Sequence, residues 1–402
     1  MLRVLERGVL AGSNAPEAAE LEQEWAERLG VRHCLATATG TAALHCCAVA
    51  LGLEPGDEVI VPAFSFVASA FGFAHHGAAP VFCDVDPDTY TLDPNRIAEL
   101  VNDRTRAIVA VHIHGLPCDM AEIAAVAKRF GLAVVEDAAQ AHGARYRGRE
   151  VGSVGDAAAF SLNATKNLCG GEGGLFVTDD SDAWEAARRL CVFGELSPPR
   201  GEDEFRSYRA LGLGWNYRLP ELSAALARSQ LRRLDDCVDR AQHVASVLTA
   251  GLRELPGIVP PTTPPDRTHV FHKYRIRLDA KALGFDGPPS ELRDRLLWAL
   301  RAEGVEAVVW QLDPLPALPA FRHGDLVPWS SWHDDAHLEE WHAEAFPEAS
   351  RLLDESLVLG SERFPLFNQD EAVATLYVEA FERILARLDA VLARPHRPIR
   401  VR

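Results

Sequence analysis

The chain lacks three features that would place it in a membrane or outside the cell. It has no apolar run near the roughly 20 residues that a bilayer-spanning helix needs. The apolar part of its N-terminal segment, MLRVLERGVLAGSNAPE, is too short for a secretory signal peptide. None of its eight cysteines forms a C-x-x-C pair, and most have apolar neighbours, which indicates buried free thiols in a reducing compartment. We therefore predict a cytoplasmic protein without a membrane partner.

Basic residues are also scarce relative to acidic ones. The 402 residues include 41 lysines and arginines against 58 aspartates and glutamates, a formal net charge of −17. Nucleic acids and anionic membrane surfaces bind basic patches, so this balance disfavours both as partners. A local basic pocket for a phosphorylated substrate remains compatible with it.

Metal-binding spacings are few. His112 and His114 form H-x-H at the end of a predicted strand, and His333 and His337 are four residues apart, as on one face of a helix. No suitable further ligand completes either set. We predict no metal: a structural or substrate-lining role is expected for the first pair, and a solvated acidic helix for the second.

Composition and patterning indicate two domains. The chain is 48% hydrophobic and 25% charged, which is ordinary for a soluble globular protein, and it shows no repeats. Short apolar strands alternate with helices, which predicts an α/β fold with a mostly parallel sheet. We predict an N-terminal helix and a large domain over residues 1–255. A smaller α+β domain is expected over 256–402, after a proline-rich linker.

Periodicity predicts several individual elements. Apolar residues at helical spacing predict an amphipathic helix over residues 15–29. The same spacing predicts one long helix from Pro220 to Ala250 and a final helix from Asp370 to Ala393. An apolar run from Val270 to Leu278 predicts the first strand of the second domain.

The chemistry is concentrated between Ala133 and Thr178. Three short apolar runs, 132–135, 157–162 and 174–178, predict buried strands. Asp137 follows the first run, and Lys166 and a glycine cluster follow the second. In open α/β sheets, ligands bind in the crevice beyond the strand ends. Pyridoxal 5′-phosphate (PLP) needs both groups, a lysine for a Schiff base and an anion for its pyridine nitrogen. Each residue has a simpler interpretation by itself: a strand-end aspartate is usually a turn or helix cap, and most lysines are solvated. The two residues together with the glycine cluster favour a cofactor site.

A second strand end suits a phosphate group. The predicted strand 34–37 is followed by a Thr-Gly-Thr turn and an apolar helix. This arrangement directs free backbone N–H groups and the helix dipole at one place. An isolated turn of this kind more often caps a helix and binds nothing.

Several ordered motifs together resemble the DegT/DnrJ/StrS family of PLP-dependent aminotransferases, often called sugar aminotransferases. The resemblance covers roughly residues 8–280 and is specific, because many motifs occur in one chain. It implies the fold type I architecture, with a mostly parallel seven-stranded sheet and a smaller C-terminal α+β domain. The motifs are TGTAAL (39–44), PAFSF (62–66), EDAAQAHGA (136–144), FSLNATKNLCGGEGG (160–174) and GWNYRLPELSAALARSQL (214–231).

The resemblance implies two catalytic residues. It assigns Lys166 to the Schiff base with PLP and to the proton transfer that follows, which requires that burial and the cationic cofactor lower the lysine pKa. It assigns Asp137 to the pyridine nitrogen, which keeps the ring an electron sink.

The resemblance also implies a phosphate site. It places Gly40, Thr41 and Ser161 at the PLP phosphate. Asn216 matches a residue that reaches this phosphate from the neighbouring subunit. That match implies a homodimer with shared active sites.

Two further residues would contact the cofactor ring. The resemblance stacks the aromatic side chain of Phe66 on the pyridine ring, and we expect either Phe64 or Phe66 to fill core. The resemblance assigns Gln140 to the phenolic oxygen; the alternative is a polar residue at a loop edge.

The activity implied is transfer of an amino group from glutamate or glutamine to a keto-sugar, keto-cyclitol or related ketone, in natural-product biosynthesis. The alternatives are a dehydratase or aromatising enzyme of the same family and a non-catalytic regulator with this fold. Lys166, in place of the histidine of certain dehydratases, favours transfer, and Lys166 together with Asp137 disfavours the regulator.

One segment departs from the family pattern. Many members that act on nucleotide sugars have a motif like VHYPxPLHxQPxF, whereas residues 305–321 read VEAVVWQLDPLPALPAF. The following insert, HGDLVPWSSWHDD, adds tryptophans and acids, and acids that faced a nucleotide diphosphate would disfavour its binding. The sequence therefore leaves the acceptor open among cyclitols, unusual sugars and other small ketones.

Overall fold

The computed structural model describes residues 1–12, 16–195, 209–322 and 342–399. The predicted acidic helix with His333 and His337 lies outside these ranges. Within them, no helix is long and apolar enough to cross a membrane. All eight cysteines are free thiols, and six are buried, as their apolar neighbours predicted.

Seven strands form the main sheet, in the order β1-β9-β8-β5-β4-β2-β3. Neighbouring strands are parallel except at β9, which is antiparallel to both β1 and β8. The predicted α/β class and mostly parallel seven-stranded sheet are thereby confirmed. The strands are β1 (His33–Thr37), β2 (Glu58–Pro62), β3 (Ala79–Cys83), β4 (Thr105–Val111), β5 (Ala133–Asp137), β8 (Ala157–Ser161) and β9 (Gly174–Thr178).

Helices cover both faces of this sheet. Residues of α3, α4 and α7 join one apolar cluster, and those of α2, α5, α6 and α8 join two clusters on the other face. The helices are α1 (Leu2–Arg7), α2 (Pro16–Leu29), α3 (Gly40–Ala50), α4 (Ala68–Ala74), α5 (Pro94–Leu100), α6 (Met120–Phe130), α7 (Ser181–Cys191), α8 (Glu221–Leu231) and α9 (Leu234–Arg253).

The central strands are buried on both faces. In β4, Val109 packs into the α3–α4–α7 cluster, whereas Ile108 and Ala110 pack beside α5 and α6. Successive side chains of a strand point to opposite faces, so a strand between two helical layers is apolar throughout. This explains the continuous apolar runs of the sequence.

A second, antiparallel sheet has the order β10-β12-β14-β13. The second half of α9 packs against it through Val244 and Leu248, together with residues of two later helices. The domain boundary at residue 255 stays a prediction. The strands are β10 (Ile258–Val259), β12 (Tyr274–Leu278), β13 (Ala307–Val308) and β14 (Ser356–Leu359), and the helices α10 (Pro289–Ala302), α11 (Pro319–Arg322), α12 (Pro347–Glu355), α13 (Glu371–Leu385) and α14 (Leu388–Leu392). A small third sheet joins β6 (Arg145–Tyr146), β7 (Arg149–Glu150) and β11 (Arg267–Thr268).

Two predicted long helices are wrong, because each is interrupted. The segment 220–250 divides into α8 and α9 at Arg233, whose backbone has φ −116° and ψ 5°. The segment 370–393 divides in the same way at Arg387, with φ −126° and ψ 26°. Apolar periodicity continues across both breaks, since the helices on either side pack apolar side chains against shared clusters.

The predicted strand 270–278 begins later than expected. Pairing with β14 starts at Tyr274, and pairing with β10 involves only Arg277 and Leu278. Phe271 has a positive φ of 45°, and its N–H donates to the ring of His269. The segment before Tyr274 is therefore a turn, and it brings Lys273 to the edge of the main sheet's crevice.

Candidate active site

Asp137 is the last residue of β5 and is held in one orientation. Its side chain is buried, and its Oδ2 accepts a hydrogen bond from Ser69 Oγ at 2.7 Å. A second hydroxyl, Ser65 Oγ, lies 2.6 Å from Ser69 Oγ. The backbone N–H of Ala139 donates to Oδ1 at 3.2 Å. These contacts fix the carboxylate at the carboxyl edge of the sheet, where strand ends form the crevice.

Lys166 lies in the loop between β8 and β9. Its N–H closes a turn onto the carbonyl of Asn163 at 2.9 Å, and the Ala164 N–H donates to the Gly171 carbonyl across the loop. Burial lowers the pKa of Lys166 to about 8, although the charges of Asp137 and Glu362 act in the opposite direction. The structure therefore brings the two predicted catalytic residues into one crevice.

Gly40 and Ser161 meet where α3 begins and β8 ends. A Cβ atom on Gly40 would lie 2.8 Å from Ser161 Cβ, so no larger residue fits there without movement. Thr39 caps the helix, its hydroxyl accepting from Ala42 N at 3.0 Å. The N–H groups of Gly40 and Thr41 belong to the first helical turn, where they have no partner within the helix. This cradle suits a phosphate group beside the serine hydroxyl.

Gln140 and the two phenylalanines occupy different environments. Gln140 Oε1 accepts from the backbone N–H of His114 at 2.8 Å, which orients its amide. Phe64 is buried and fills the core, whereas Phe66 is 59% exposed. Phe64 is therefore the aromatic residue of the two that fills core, as expected. The exposed ring of Phe66 is free to contact a ligand.

Asn216 is not part of this crevice in the single chain. It is exposed, and it is bridged to Val192. The next residue, Tyr217, accepts a hydrogen bond from Ala38 N at 2.6 Å. Among the described residues, no hydrogen bond joins Asn216 to Gly40, Thr41 or Ser161, so its predicted role depends on a second subunit.

Glu136 and His112 form a buried pair apart from the cofactor crevice. The carboxylate of Glu136 accepts from His112 Nε2 at 2.9 Å and from three N–H groups of the loop 152–155 at 2.7–2.8 Å. His112 Nδ1 accepts from the backbone N–H of Cys118 at 3.0 Å while Nε2 donates to Glu136, which is the arrangement of a neutral ring with both nitrogens satisfied. His112 is thus a structural residue. Among the described residues, no group of three or more side chains could hold a metal.

Sequence reasoning missed Lys273 and Trp310 at this crevice. Lys273 Nζ lies 4.3 Å from the centre of the Trp310 ring. Burial and the charge of Lys166 lower the pKa of Lys273 to about 8. The next residue along, Gln311, donates to the Ser65 carbonyl at 2.8 Å. Nothing in the sequence links these segments, because they lie more than a hundred residues from Lys166 and only tertiary packing joins them.

The residues of the crevice fit PLP. They supply a lysine of lowered pKa, a buried carboxylate and a cradle of N–H and hydroxyl groups.

Comparison with known proteins identifies relatives that are named as aminotransferases. The chain is 38% identical to the dTDP-3-amino-3,4,6-trideoxy-alpha-D-glucose transaminase of Streptomyces venezuelae, over 81% of this chain and 80% of that protein. It is 36% identical to a putative L-glutamine:3-amino-2,3-dideoxy-scyllo-inosose aminotransferase of Micromonospora echinospora, over 75% and 71%.

Solved structures show the same architecture. The crystal structure of 3-amino-5-hydroxybenzoic acid synthase superposes with a TM-score of 0.82, at 30% identity over 95% of each chain. The sequence model of the DegT/DnrJ/EryC1/StrS aminotransferase family matches residues 2–334. The chain therefore belongs to the DegT/DnrJ/EryC1/StrS aminotransferase family and is a PLP-dependent aminotransferase.

Proposed function

We propose that the protein transfers an amino group from glutamate or glutamine to a keto-sugar, keto-cyclitol or related ketone in natural-product biosynthesis. The observation that carries this proposal is the lysine amine of Lys166 beside the buried carboxylate of Asp137 in one crevice. The relatives that act on a deoxyamino sugar and on a scyllo-inosose derivative support this acceptor class. We place this reaction in the cytoplasm.

Lys166 would hold PLP through its amine and, once released, would move a proton to and from the substrate Cα. A pKa of about 8 suits this role, since a substantial fraction of the amine is neutral near physiological pH. Asp137 holds the proton on the pyridine nitrogen, and Ser69 orients its carboxylate. PLP, when bound, would supply the electron sink that the reaction needs.

The remaining residues hold the cofactor in place. The phosphate would be bound by the first-turn N–H groups of Gly40 and Thr41 and by the Ser161 hydroxyl, since Gly40 lies against Ser161 where α3 meets β8. Phe66, which is exposed, would stack on the ring, and Gln140, whose Oε1 is held by the His114 N–H, would donate to the phenolic oxygen with its amide nitrogen.

Asn216 completes the phosphate site of a second subunit in a homodimer. Its surroundings support such an interface, because Leu211, Leu213 and Trp215 expose 49%, 100% and 54% of their surface within a few residues of it. Contiguous exposed apolar side chains of this kind are typical of protein interaction sites. The large domain over residues 1–255 would then contribute most of the shared site.

The direct test is the response of the PLP-loaded protein to amino donors. Incubation with glutamate or glutamine should convert the visible absorbance of the bound cofactor to the near-ultraviolet band of the pyridoxamine form. Addition of a candidate keto-sugar or keto-cyclitol should reverse the change. If no amino acid converts the cofactor while Lys166 holds it covalently, the transfer reaction is excluded.

Dehydration or aromatisation of a cyclic substrate is the second candidate function. It is favoured by the structural likeness to 3-amino-5-hydroxybenzoic acid synthase and by the unusual segment 305–321. The same experiment separates the two functions. A substrate that loses water while the cofactor spectrum is unaffected by every amino donor would establish this second reaction.

A further inference from the structure

A small pocket lies between the end of the main sheet and the segment that contains Lys273 and Arg275. Lys273, Arg275 and His114 line it, together with the loop that contains Tyr90. The pocket adjoins the proposed cofactor site, because the backbone N–H of His114 donates to Gln140 and the charges of Lys273 and Lys166 interact. Its position makes it a place for part of a substrate.

Arg275 is a buried cation without a carboxylate partner. Its side chain is almost fully buried, stacked over the Phe64 ring at 4.9 Å. Its Nη1 donates to Ser356 Oγ at 2.7 Å and its Nε to His114 Nε2 at 2.9 Å. In the described part of the chain, no carboxylate lies within 4 Å of the guanidinium. Buried charges are normally paired, so an uncompensated one points to an external anion.

The hydrogen bond from Arg275 also sets the state of His114. Because Nε2 accepts from the guanidinium, the ring proton is on Nδ1. Burial and the charge of Arg275 hold the His114 pKa well below its ordinary value, so the ring is neutral. Nδ1 is buried and has no hydrogen-bond partner within the described ranges. A buried donor left without an acceptor costs about 1–3 kcal/mol, which a ligand oxygen would recover.

Lys273 adds a second cation to the side of the pocket that Arg275 and His114 form. It is only 9% exposed, and its Nζ contacts the Trp310 ring face. The described residues provide no ion pair to it within 4 Å. Glu362 favours its charged form from a greater distance, and the one acid that lines the pocket, Asp88, is exposed.

We propose that Lys273, Arg275 and His114 form a binding site for a substrate carboxylate next to Lys166. Two cations and one N–H donor match the two oxygens and the charge of a carboxylate. The pocket is small, so it admits a small anionic group at most. The carboxylate belongs to the amino donor or to a keto acceptor that carries one. This inference rests on the proposed function, which supplies both substrates.

Binding of glutarate to the PLP-loaded protein tests the site without any reaction. Glutarate has two carboxylates and no amino group, and titration calorimetry should detect it, whereas the uncharged diamide glutaramide should not bind. Lys273→Met keeps the apolar stem against Trp310 but removes the charge, and it should weaken glutarate binding by about 10- to 100-fold. Lys273→Arg should stay within a few-fold of the unmodified protein. Lys128→Met, which removes an exposed lysine on α6, is the matched control and should bind normally.

The inference is overturned if Lys273→Met, with its cofactor absorbance intact, binds glutarate as tightly as the unmodified protein, or if Lys128→Met loses as much. Michaelis constants then distinguish the two sources. A carboxylate of the donor predicts that Lys273→Met raises KM for glutamate or glutamine, and a carboxylate of the acceptor predicts that it raises KM for the acceptor.

This outcome is separable from that of the proposed function. If no amino acid converts the bound cofactor, the amino-transfer proposal fails. Glutarate binding still tests the site formed by Lys273, Arg275 and His114. If conversion occurs and Lys273→Met alters neither glutarate affinity nor either Michaelis constant, only the carboxylate site fails.

Discussion

At the residue scale, the crevice is defined by amines that burial makes less basic. Lys166 and Lys273 both have a pKa lowered to about 8, with burial as the first cause in each case. Their proximity contributes to the lowering for Lys273, since two neighbouring positive charges repel each other. A lysine of this kind is partly neutral near physiological pH, as a nucleophile must be.

The pH dependence of cofactor capture follows from the Lys166 pKa. Only the neutral amine attacks an aldehyde, so the protein freed of PLP should capture it slowly at pH 6. The rate should rise through about pH 8 and level off above it. Stopped-flow absorbance would give this profile. A midpoint near 10.5, the ordinary value for lysine, would contradict the assignment of Lys166 as a buried amine.

Asp137→Asn should retain PLP but lower turnover by about 100-fold or more, because a neutral amide cannot hold the pyridinium proton. The asparagine carbonyl can still accept from Ser69 Oγ, so the fold of the crevice should persist. Steady-state rates and the visible absorbance of the bound cofactor check both parts. Asp103→Asn, at an exposed position, is the control. Near-normal turnover in Asp137→Asn would remove Asp137 from the mechanism.

At the element scale, strand alternation gives two adjacent acids different roles. Asp137 faces the crevice, whereas Glu136 binds His112 and the loop 152–155. That loop precedes β8, so the Glu136 network holds the start of the strand that leads to Lys166. The network is fully hydrogen-bonded, which is the condition for a buried charge to be tolerated.

Glu136→Gln should destabilise the protein by about 3 kcal/mol. The amide offers one acceptor oxygen where the carboxylate has two, and its NH2 group would face donors that the carboxylate now accepts from, namely His112 Nε2 and the N–H groups of the loop 152–155. Urea unfolding measures the loss in free energy of unfolding. The control is Glu122→Gln, at an exposed position on α6. Equal stability of the two variants would show that the buried network contributes nothing.

At the scale of the whole molecule, the single chain leaves an apolar surface around Asn216. Leu211, Leu213 and Trp215 are exposed there, and the segment is tied to the end of β1 through Tyr217. If a second copy covers this surface, the phosphate site is completed only in the dimer, and cofactor binding and dimerisation stabilise each other.

Mixed dimers test this arrangement. Lys166→Ala and Asn216→Asp should each be inactive, because the first lacks the amine and the second sets a negative charge against the phosphate. Heterodimers of the two variants should recover activity, since one of their two sites has Lys166 from one chain and Asn216 from the other. Activity assays after unfolding and refolding the mixture measure this recovery. Inactive heterodimers would place Asn216 in its own subunit's site, and an active monomer in solution would exclude the shared site.

The sequence by itself determined the strands of the main sheet and the family, and it placed Lys166, Asp137 and Gly40 at or beyond strand ends, because each of these depends on a local pattern. Short apolar runs define strands, and a strand end delivers its next residue to a known edge. Only the tertiary structure decided what depends on contacts between distant segments. It gave Glu136 and Asp137 different contacts, and it ended helices at residues where the apolar periodicity continues. It also brought Lys273 and Arg275 beside His114, from more than 150 residues away in the sequence. Burial and pairing of charges arise from packing, which no local pattern records.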